Sequence, residues 1–210
     1  MRFVLTVACF SYFCLAVTPP EGKPPTSTQY DGHWWLSRDP KEQQGFVSGA
    51  ADCYIWEVKE KLRHSKSAAE DQSSITRFYR EDTSRLDRSA LEVFLDAADQ
   101  PSQYPAQKGG EVWKEPHGYY DGQWWREAES AERLGFVEGY LACYTQKTKQ
   151  LKGEFATTPL DLVSLISGWY GFKEDDRSVE PAKETTKIAD VLFHFSEKSD
   201  RRPATHQKEK

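Results

Sequence analysis

Residues 30–54 read YDGHWWLSRDPKEQQGFVSGAADCY, and residues 120–144 read YDGQWWREAESAERLGFVEGYLACY. The two stretches align without a gap, and 12 of their 25 positions are identical. Self-similarity at a fixed spacing is the signature of an internal duplication. We therefore interpret the chain as two copies of one structural unit.

Helix signals dominate both copies. Asp39 followed by Pro40, with Glu42 three residues after Asp39, predicts an N-cap, a proline in the first turn and a capping box. No stretch alternates strictly between apolar and polar residues, so few strands are expected. We predict an all-α fold of two pseudo-symmetric three-helix repeats. The first repeat has helices at about 40–62, around 75–79 and from Ser84 or Asp87 to 98, and the second at about 130–151, from Pro159 and around 188–195.

The N-terminus reads as a signal peptide. Arg2 precedes an almost unbroken apolar run, Phe3 to Val17, which Pro19 and Pro20 end. That length suits a signal peptide and is short for a membrane span, although an uncleaved anchor remains the alternative. We predict cleavage between about residues 16 and 22, and a secreted or periplasmic protein with no membrane segment after cleavage.

Composition sets the remaining boundaries. Proline and polar residues mark a leader and a linker, and the charged C-terminus is typical of disorder. The predicted segments are a signal peptide at 1–18, a leader at 19–29, repeat 1 at 30–99, a linker at 100–118, repeat 2 at 119–195 and a disordered tail at 196–210.

The cysteines follow the duplication. Cys9 and Cys14 leave with the signal peptide, whereas Cys53 and Cys143 occupy equivalent positions ninety residues apart. An even count in an oxidising compartment favours a disulfide. Two separate buried thiols and an intermolecular bond are the alternatives.

A glycine motif, GFVxG at 45–49 and 135–139, accompanies each of these cysteines. Glycine in a helix costs roughly 0.5–1 kcal/mol relative to alanine, so two in each copy need a reason. Close approach of another backbone is the simplest one. We expect the two equivalent helices to cross there.

The aromatic motif, YDGxWW at 30–35 and 120–125, has two interpretations. Its rings either form a platform for a partner protein or a glycan, or they fill the core below a tight Asp-Gly turn. Large aromatic side chains mostly serve cores, which favours the second interpretation. The candidate partner-binding residues are Tyr30, Trp34, Trp35, Tyr120, Trp124 and Trp125.

Enzymatic chemistry has few candidates. Glu42 and Glu132 are shared acidic residues, but a position in the first helical turn explains them as caps. Asp31 and Asp121 are explained as turn residues. No nucleophile elbow, zinc cluster or phosphate loop is present, so no cofactor is expected. The net charge of -5 gives no basic footprint for nucleic acid.

The unit resembles the small periplasmic immunity proteins of the Rap/Tai type, which neutralise amidase effectors of type VI secretion. The residues that carry the resemblance are Gly45 to Gly49, Ile75 to Tyr79 and Ala90 to Leu95, and then Gly135 to Tyr140, Leu162 to Tyr170 and Ile188 to Leu192. This resemblance implies a helical fold and a protein partner.

Two function classes follow. The first is an exported, non-enzymatic binding or interaction protein of the periplasm or cell surface, with an immunity-like role. The alternative is a hydrolase that acts on the cell wall through Asp31 and Glu42, or through Asp121 and Glu132.

Overall fold

The computed structural model describes residues 30–58, 67–98, 120–148 and 157–200. This part of the chain is all-α, with isolated bridges and no strand. None of its helices has the length and apolar character needed to cross a membrane. The α-helices are α1 (Gly32–Ser37), α2 (Pro40–Val58), α3 (Ala68–Glu81), α4 (Ala90–Ala98), α5 (Gly122–Glu127), α6 (Ser130–Thr148), α7 (Pro159–Tyr170) and α8 (Ile188–Asp200).

The two long helices, α2 and α6, pack backbone against backbone. A Cβ added at Gly45 would lie 2.9 Å from the amide nitrogen of Phe136, and one added at Gly49 would lie 2.9 Å from that of Tyr140. Each would come closer still to a carbonyl oxygen of α6. The contacts advance in the same direction along both helices, so α2 and α6 run parallel. The glycines are present because no side chain fits between the helices.

The second copy contributes the same contacts in reverse. A Cβ added at Gly135 would lie 2.9 Å from the amide nitrogen of Phe46, and one added at Gly139 would lie 2.9 Å from its Cα. Each glycine motif therefore lies against the other one. The close approach expected from the sequence is the central contact of the fold.

A disulfide closes this helix pair. Cys53 and Cys143 are bonded, with a Cα–Cα distance of 6.1 Å, and both are fully buried. Typical helix pairs lie about 8–10 Å apart at their axes, so the close packing at the glycines is what brings the cysteines within reach. The predicted bond is confirmed and is internal to the chain.

The shorter helices attach to this pair in the same way in both halves. The amide of Ala90 donates to the carbonyl of Tyr30 at 2.7 Å, and the amide of Ile188 donates to that of Tyr120 at 2.9 Å. These bonds join the start of α4 and of α8 to the tyrosine that precedes the N-cap of α1 and of α5. The order of elements is therefore the same in each half.

The structure corrects several predicted details. Within the described residues, each half has four α-helices instead of three, because the aromatic motif forms a short helix and not a turn. Helix α3 begins at Ala68, several residues before the helix predicted around 75–79, and α4 begins only at Ala90, after both predicted starts, Ser84 and Asp87. Helix α8 continues to Asp200, so residues 196–200 belong to a helix and not to a disordered tail. The predicted signal peptide, leader and linker lie outside the described residues.

Candidate functional site

The aromatic motif lies largely in the core. The fully or nearly buried members are Tyr30, Trp35, Tyr120 and Trp125, whereas Trp34 and Trp124 are half-buried against the core. The indole Nε1 of Trp35 donates to Thr76 Oγ1 at 2.9 Å, and that of Trp125 donates to Ser167 Oγ at 3.1 Å. Because their polar atoms are also satisfied inside the protein, the buried rings offer no surface to a partner in this conformation.

The two aspartates of the aromatic motif are helix caps. Asp31 Oδ1 accepts from the amide of Trp34 at 2.8 Å. Asp121 Oδ1 accepts from the amides of Gln123 at 3.0 Å and Trp124 at 3.1 Å. Both carboxylates therefore stabilise the first turns of α1 and α5, and the predicted turn role is replaced by N-capping.

Glu132 and its equivalent Glu42 have different surroundings. Glu132 Oε2 accepts from the backbone amide of Glu129 at 3.5 Å, a weak form of the predicted capping contact. Glu42 is 7 % exposed, and its carboxyl is hydrogen bonded to that of Glu138 on the other long helix. Both glutamates lie in the first turn of their helices, as predicted, but Glu42 makes an additional buried contact that Glu132 lacks.

Glu42 and Glu138, here called the carboxyl pair, join the two halves across the α2–α6 contact. Glu138 is 8 % exposed. Arg38 Nε lies 3.5 Å from Glu42 Oε1, and the Arg38 guanidinium stacks over Trp34 at 5.4 Å from the ring centroid. The pair is thus enclosed between the aromatic motif of the first half and the glycine motif of the second.

Burial controls the ionisation of the carboxyl pair. Loss of solvent, reinforced by the neighbouring Glu42 carboxyl and opposed by Arg38, raises the pKa of Glu138 to about 8. Burial also raises the pKa of Glu42, with Arg38 as the main opposing charge. The Tyr30 hydroxyl lies nearby, and burial holds its pKa well above the ordinary range. At neutral pH the pair therefore keeps one proton.

The equivalent position in the other half has no such pair. Ser48 corresponds to Glu138 and hydrogen bonds Tyr120, and Ala128 corresponds to Arg38. The tyrosine and the first glutamate are shared, whereas the second carboxyl and the arginine occur together on one side only. Sequence reasoning missed Glu138 because it considered the residues common to both copies. The sequence feature that could have identified Glu138 is its position as the one charged residue of the motif GFVEG at 135–139.

A further buried carboxyl lies near the disulfide. Asp52 is 9 % exposed, and burial raises its pKa to about 7 with help from Asp190 and against the positive charge of Lys187. Its charge therefore interacts with charges at the start of α8 in the second half. Its equivalent in the other half is Ala142.

Apolar exposure is concentrated on α7. Three large apolar side chains of the described residues are exposed, and two of them, Leu160 at 63 % and Leu165 at 41 %, lie on this helix. A Cβ added at Gly168 would meet no atom within 4 Å, so the surface beside Leu165 is open. We call Leu160, Leu165, Gly168 and the half-buried Trp169 the α7 surface.

Helix α3 lacks this surface. The capping boxes of α3 and α7, Ser67 with Glu70 and Thr158 with Asp161, align the two helices. In that alignment Leu160 corresponds to Ala69 and Leu165 to Ser74. The exposed leucines are therefore a property of the second half alone.

The described residues contain no group of three or more histidine, cysteine, aspartate or glutamate side chains that could hold a metal ion. Comparison with protein-family models, curated proteins and solved structures found no match to this chain.

Proposed function

We propose that the chain is an exported binding protein without catalytic activity of its own, which acts by surface contact with a partner protein. The observation that carries this proposal is the α7 surface. Leu160 is 63 % exposed and Leu165 is 41 % exposed. A partner that covers them removes their apolar surface from water, which favours binding by roughly 25 cal/mol for each Å² buried. An immunity-like protein, which neutralises an enzyme by binding to it, works in this way.

The difference between the halves supports an interaction role for α7. Duplicated units share the residues that the fold needs, and those of α3 and α7 are shared: Ile75 and Ile166 are both fully buried. Exposed positions are free to diverge, and there α7 has Leu160 and Leu165 where α3 has Ala69 and Ser74. The leucines contribute little to the core, so a contact outside the molecule is the better explanation.

The framework behind the α7 surface supports binding as well. The disulfide and the glycine contacts fix the long helices against each other, and a fixed surface loses less entropy when it binds. A disulfide is also typical of an oxidising compartment, which agrees with export.

The test is affinity capture with immobilised, oxidised protein from an envelope extract of the source cell. We expect a protein that the wild type retains and that Leu160→Ala/Leu165→Ser releases. That double variant gives α7 the residues found at the same positions of α3, so it should fold normally. Arg77→Ala, an exposed change on α3, serves as the control and should retain the partner. Equal capture by all three proteins, or none by the wild type, contradicts the proposal.

The alternative is a cell-wall hydrolase that uses Asp31 and Glu42, or Asp121 and Glu132; the carboxyl pair adds Glu138 as a further candidate for it. Two carboxyls that share a proton occur in acid–base catalysis. Glycoside hydrolysis, however, needs carboxyl groups about 5 Å or more apart, whereas Glu42 and Glu138 are hydrogen bonded to each other. Their exposures of 7 % and 8 % also leave a substrate little access. Soluble fragments released from purified cell walls by the wild type, but not by Glu138→Gln, would favour the hydrolase.

A further inference from the structure

We propose that the carboxyl pair is a proton-dependent contact between the two halves, which holds the first turns of α2 against α6 while it is protonated and loosens when the proton is lost. The argument begins with position. Glu42 belongs to the first half and Glu138 to the second, and both lie at the interface that organises the fold. A change in their charge therefore acts directly on the contact between halves.

The hydrogen bond between the two side chains requires a proton. Ionised carboxylates only accept hydrogen bonds, so Glu42 and Glu138 bond to each other only while one of them is protonated. Removal of that proton leaves two adjacent negative charges. Glu138 Oε2 is buried without a hydrogen-bond partner, and Glu42 Oε1 has the Arg38 Nε at 3.5 Å, so one cation faces two charges.

The surroundings compensate one charge and not two. Arg38, 3.5 Å from Glu42, is the positive group among the described residues whose charge acts on the pair. Asp39, beside it, adds a negative charge, and the Tyr30 hydroxyl stays neutral because burial raises its pKa. One arginine matches the singly protonated pair. The fully ionised pair therefore carries an uncompensated buried charge.

The disulfide confines the effect to one end of the helix pair. Cys53 follows Glu42 by eleven residues, which is about 16 Å along α2. The covalent bond holds the helices together at that end in either protonation state. Loss of the proton should therefore loosen the N-terminal part of α2 and the segment of α6 around Glu138, without separating the halves.

The sign of the pH dependence follows from proton linkage. The folded state keeps a proton on Glu138 up to about pH 8, whereas the unfolded chain releases it near its ordinary pKa of 4.5. The folded state thus binds more protons over that interval, and stability falls as the pH rises through it. The stabilisation that protonated Glu138 contributes is fully present below the unfolded-state pKa of 4.5 and is lost above the folded-state pKa of about 8.

The raised pKa of Asp52 also makes stability fall as the pH rises, so the contribution of Asp52 must be eliminated from the measurement. Its pKa of about 7 also exceeds its ordinary value of 3.8, and it faces Lys187 and Asp190 on the side of the disulfide. We therefore place all variants in an Asp52→Asn background. What remains of the pH dependence between about pH 5 and about pH 9 then reports mainly on the carboxyl pair.

The experiment measures urea unfolding and amide hydrogen exchange of the oxidised full chain at several pH values. We expect the unfolding midpoint of the Asp52→Asn protein to fall between about pH 5 and about pH 9. In Glu138→Gln the fall should be much smaller, because the glutamine amide donates to Glu42 at every pH. Glu138→Ser, which copies Ser48 of the other half, should also lose most of the pH dependence.

Hydrogen exchange locates the effect. After correction for intrinsic rates, amides near Glu42 and Gly45 should exchange faster at high pH, while those near Cys53 should not change. The proposal is overturned by an unfolding midpoint that does not fall with pH. It is also overturned if Glu138→Gln retains the full fall, or if exchange accelerates equally along the whole of α2.

Discussion

Glycine is the residue on which the contact between halves depends. Gly45 and Gly49 in one helix face Gly135 and Gly139 in the other, and at each of them a methyl group would overlap backbone atoms. Backbone cannot move aside as a flexible side chain does. The entropic cost of glycine in a helix, roughly 0.5–1 kcal/mol each, is offset because the two helices can touch.

The first prediction concerns these glycines. Gly49→Ala should lower the free energy of unfolding by about 1–3 kcal/mol or more, because the added methyl group collides with the backbone of α6 at Phe136. Urea unfolding followed by tryptophan fluorescence measures the change. Gly168→Ala is the matched control: it has open space around it, so alanine there should stabilise α7 by about 0.5–1 kcal/mol. Equal effects at the two sites would contradict the packing described.

Single residues also show how far the sequence predicts the site. The sequence predicts the Cys53–Cys143 bond because the two cysteines stand at equivalent positions and because the predicted export favours disulfides. Glu42 is a candidate for the same reason, since Glu132 stands at its equivalent position. Its partner Glu138 is not, because comparison of the two copies selects what they share, and Ser48 stands at the position equivalent to Glu138. A residue that makes the halves different is found only when the packing is known.

At the scale of elements, the short helices depend on the long ones. The Gln43 side-chain amide donates to the carbonyl of Trp35 at 2.6 Å, and the Arg133 guanidinium donates to that of Trp125 at 2.8 Å. Gln43 and Arg133 are equivalent residues, and both are buried. Each therefore satisfies the C-terminal end of a short helix from the neighbouring long helix, with a different side chain.

The second prediction tests that equivalence. Arg133→Gln should preserve a donor for the Trp125 carbonyl and cost little. Arg133→Met keeps the length of the side chain but leaves the carbonyl unpaired, and should lower stability by about 1–3 kcal/mol. Thermal unfolding of both variants gives the comparison. Similar losses for glutamine and methionine would mean that the charge of Arg133 matters more than its hydrogen bond.

Elements differ in how well the sequence predicts them. Helix α7 starts at Pro159 as predicted, since a capping threonine, a proline and an apolar face all agree. Helix α3 starts earlier than predicted. Its first residues, Ala68 to Asp71, show no apolar periodicity that would predict a helix, and the capping box of Ser67 and Glu70 fixes its start. The aromatic helices α1 and α5 are six residues each, too short for periodicity to be visible.

At the scale of the whole molecule, the pairing of the halves is fixed covalently. The disulfide closes a loop of ninety residues, for which chain-entropy models give about 4–5 kcal/mol. The polar differences between the halves, at the carboxyl pair, at Asp52 and on the α7 surface, are superimposed on this shared framework. The residues that the two halves share therefore form the framework of the fold, and the candidate functional features lie where the halves differ.

The third prediction is the effect of the disulfide on stability. Cys53→Ala/Cys143→Ala should lower the free energy of unfolding by about 2–5 kcal/mol while the protein remains helical, because the glycine contacts and the aromatic core are unchanged. Circular dichroism during urea unfolding measures both properties. Reduction of the wild type should have a similar effect. A variant as stable as the oxidised protein would show that the cross-link adds nothing to the pairing.

The central claim is that α2 and α6 pair in parallel through their glycines and are closed by Cys53–Cys143. Peptide mapping tests it most directly: the protein is alkylated without reduction under denaturing conditions, digested, and analysed by mass spectrometry. The account predicts one disulfide-linked peptide pair that contains Cys53 and Cys143, recovered from monomeric protein. Recovery of both cysteines in alkylated form, or of their linkage only from a covalent dimer, would contradict it.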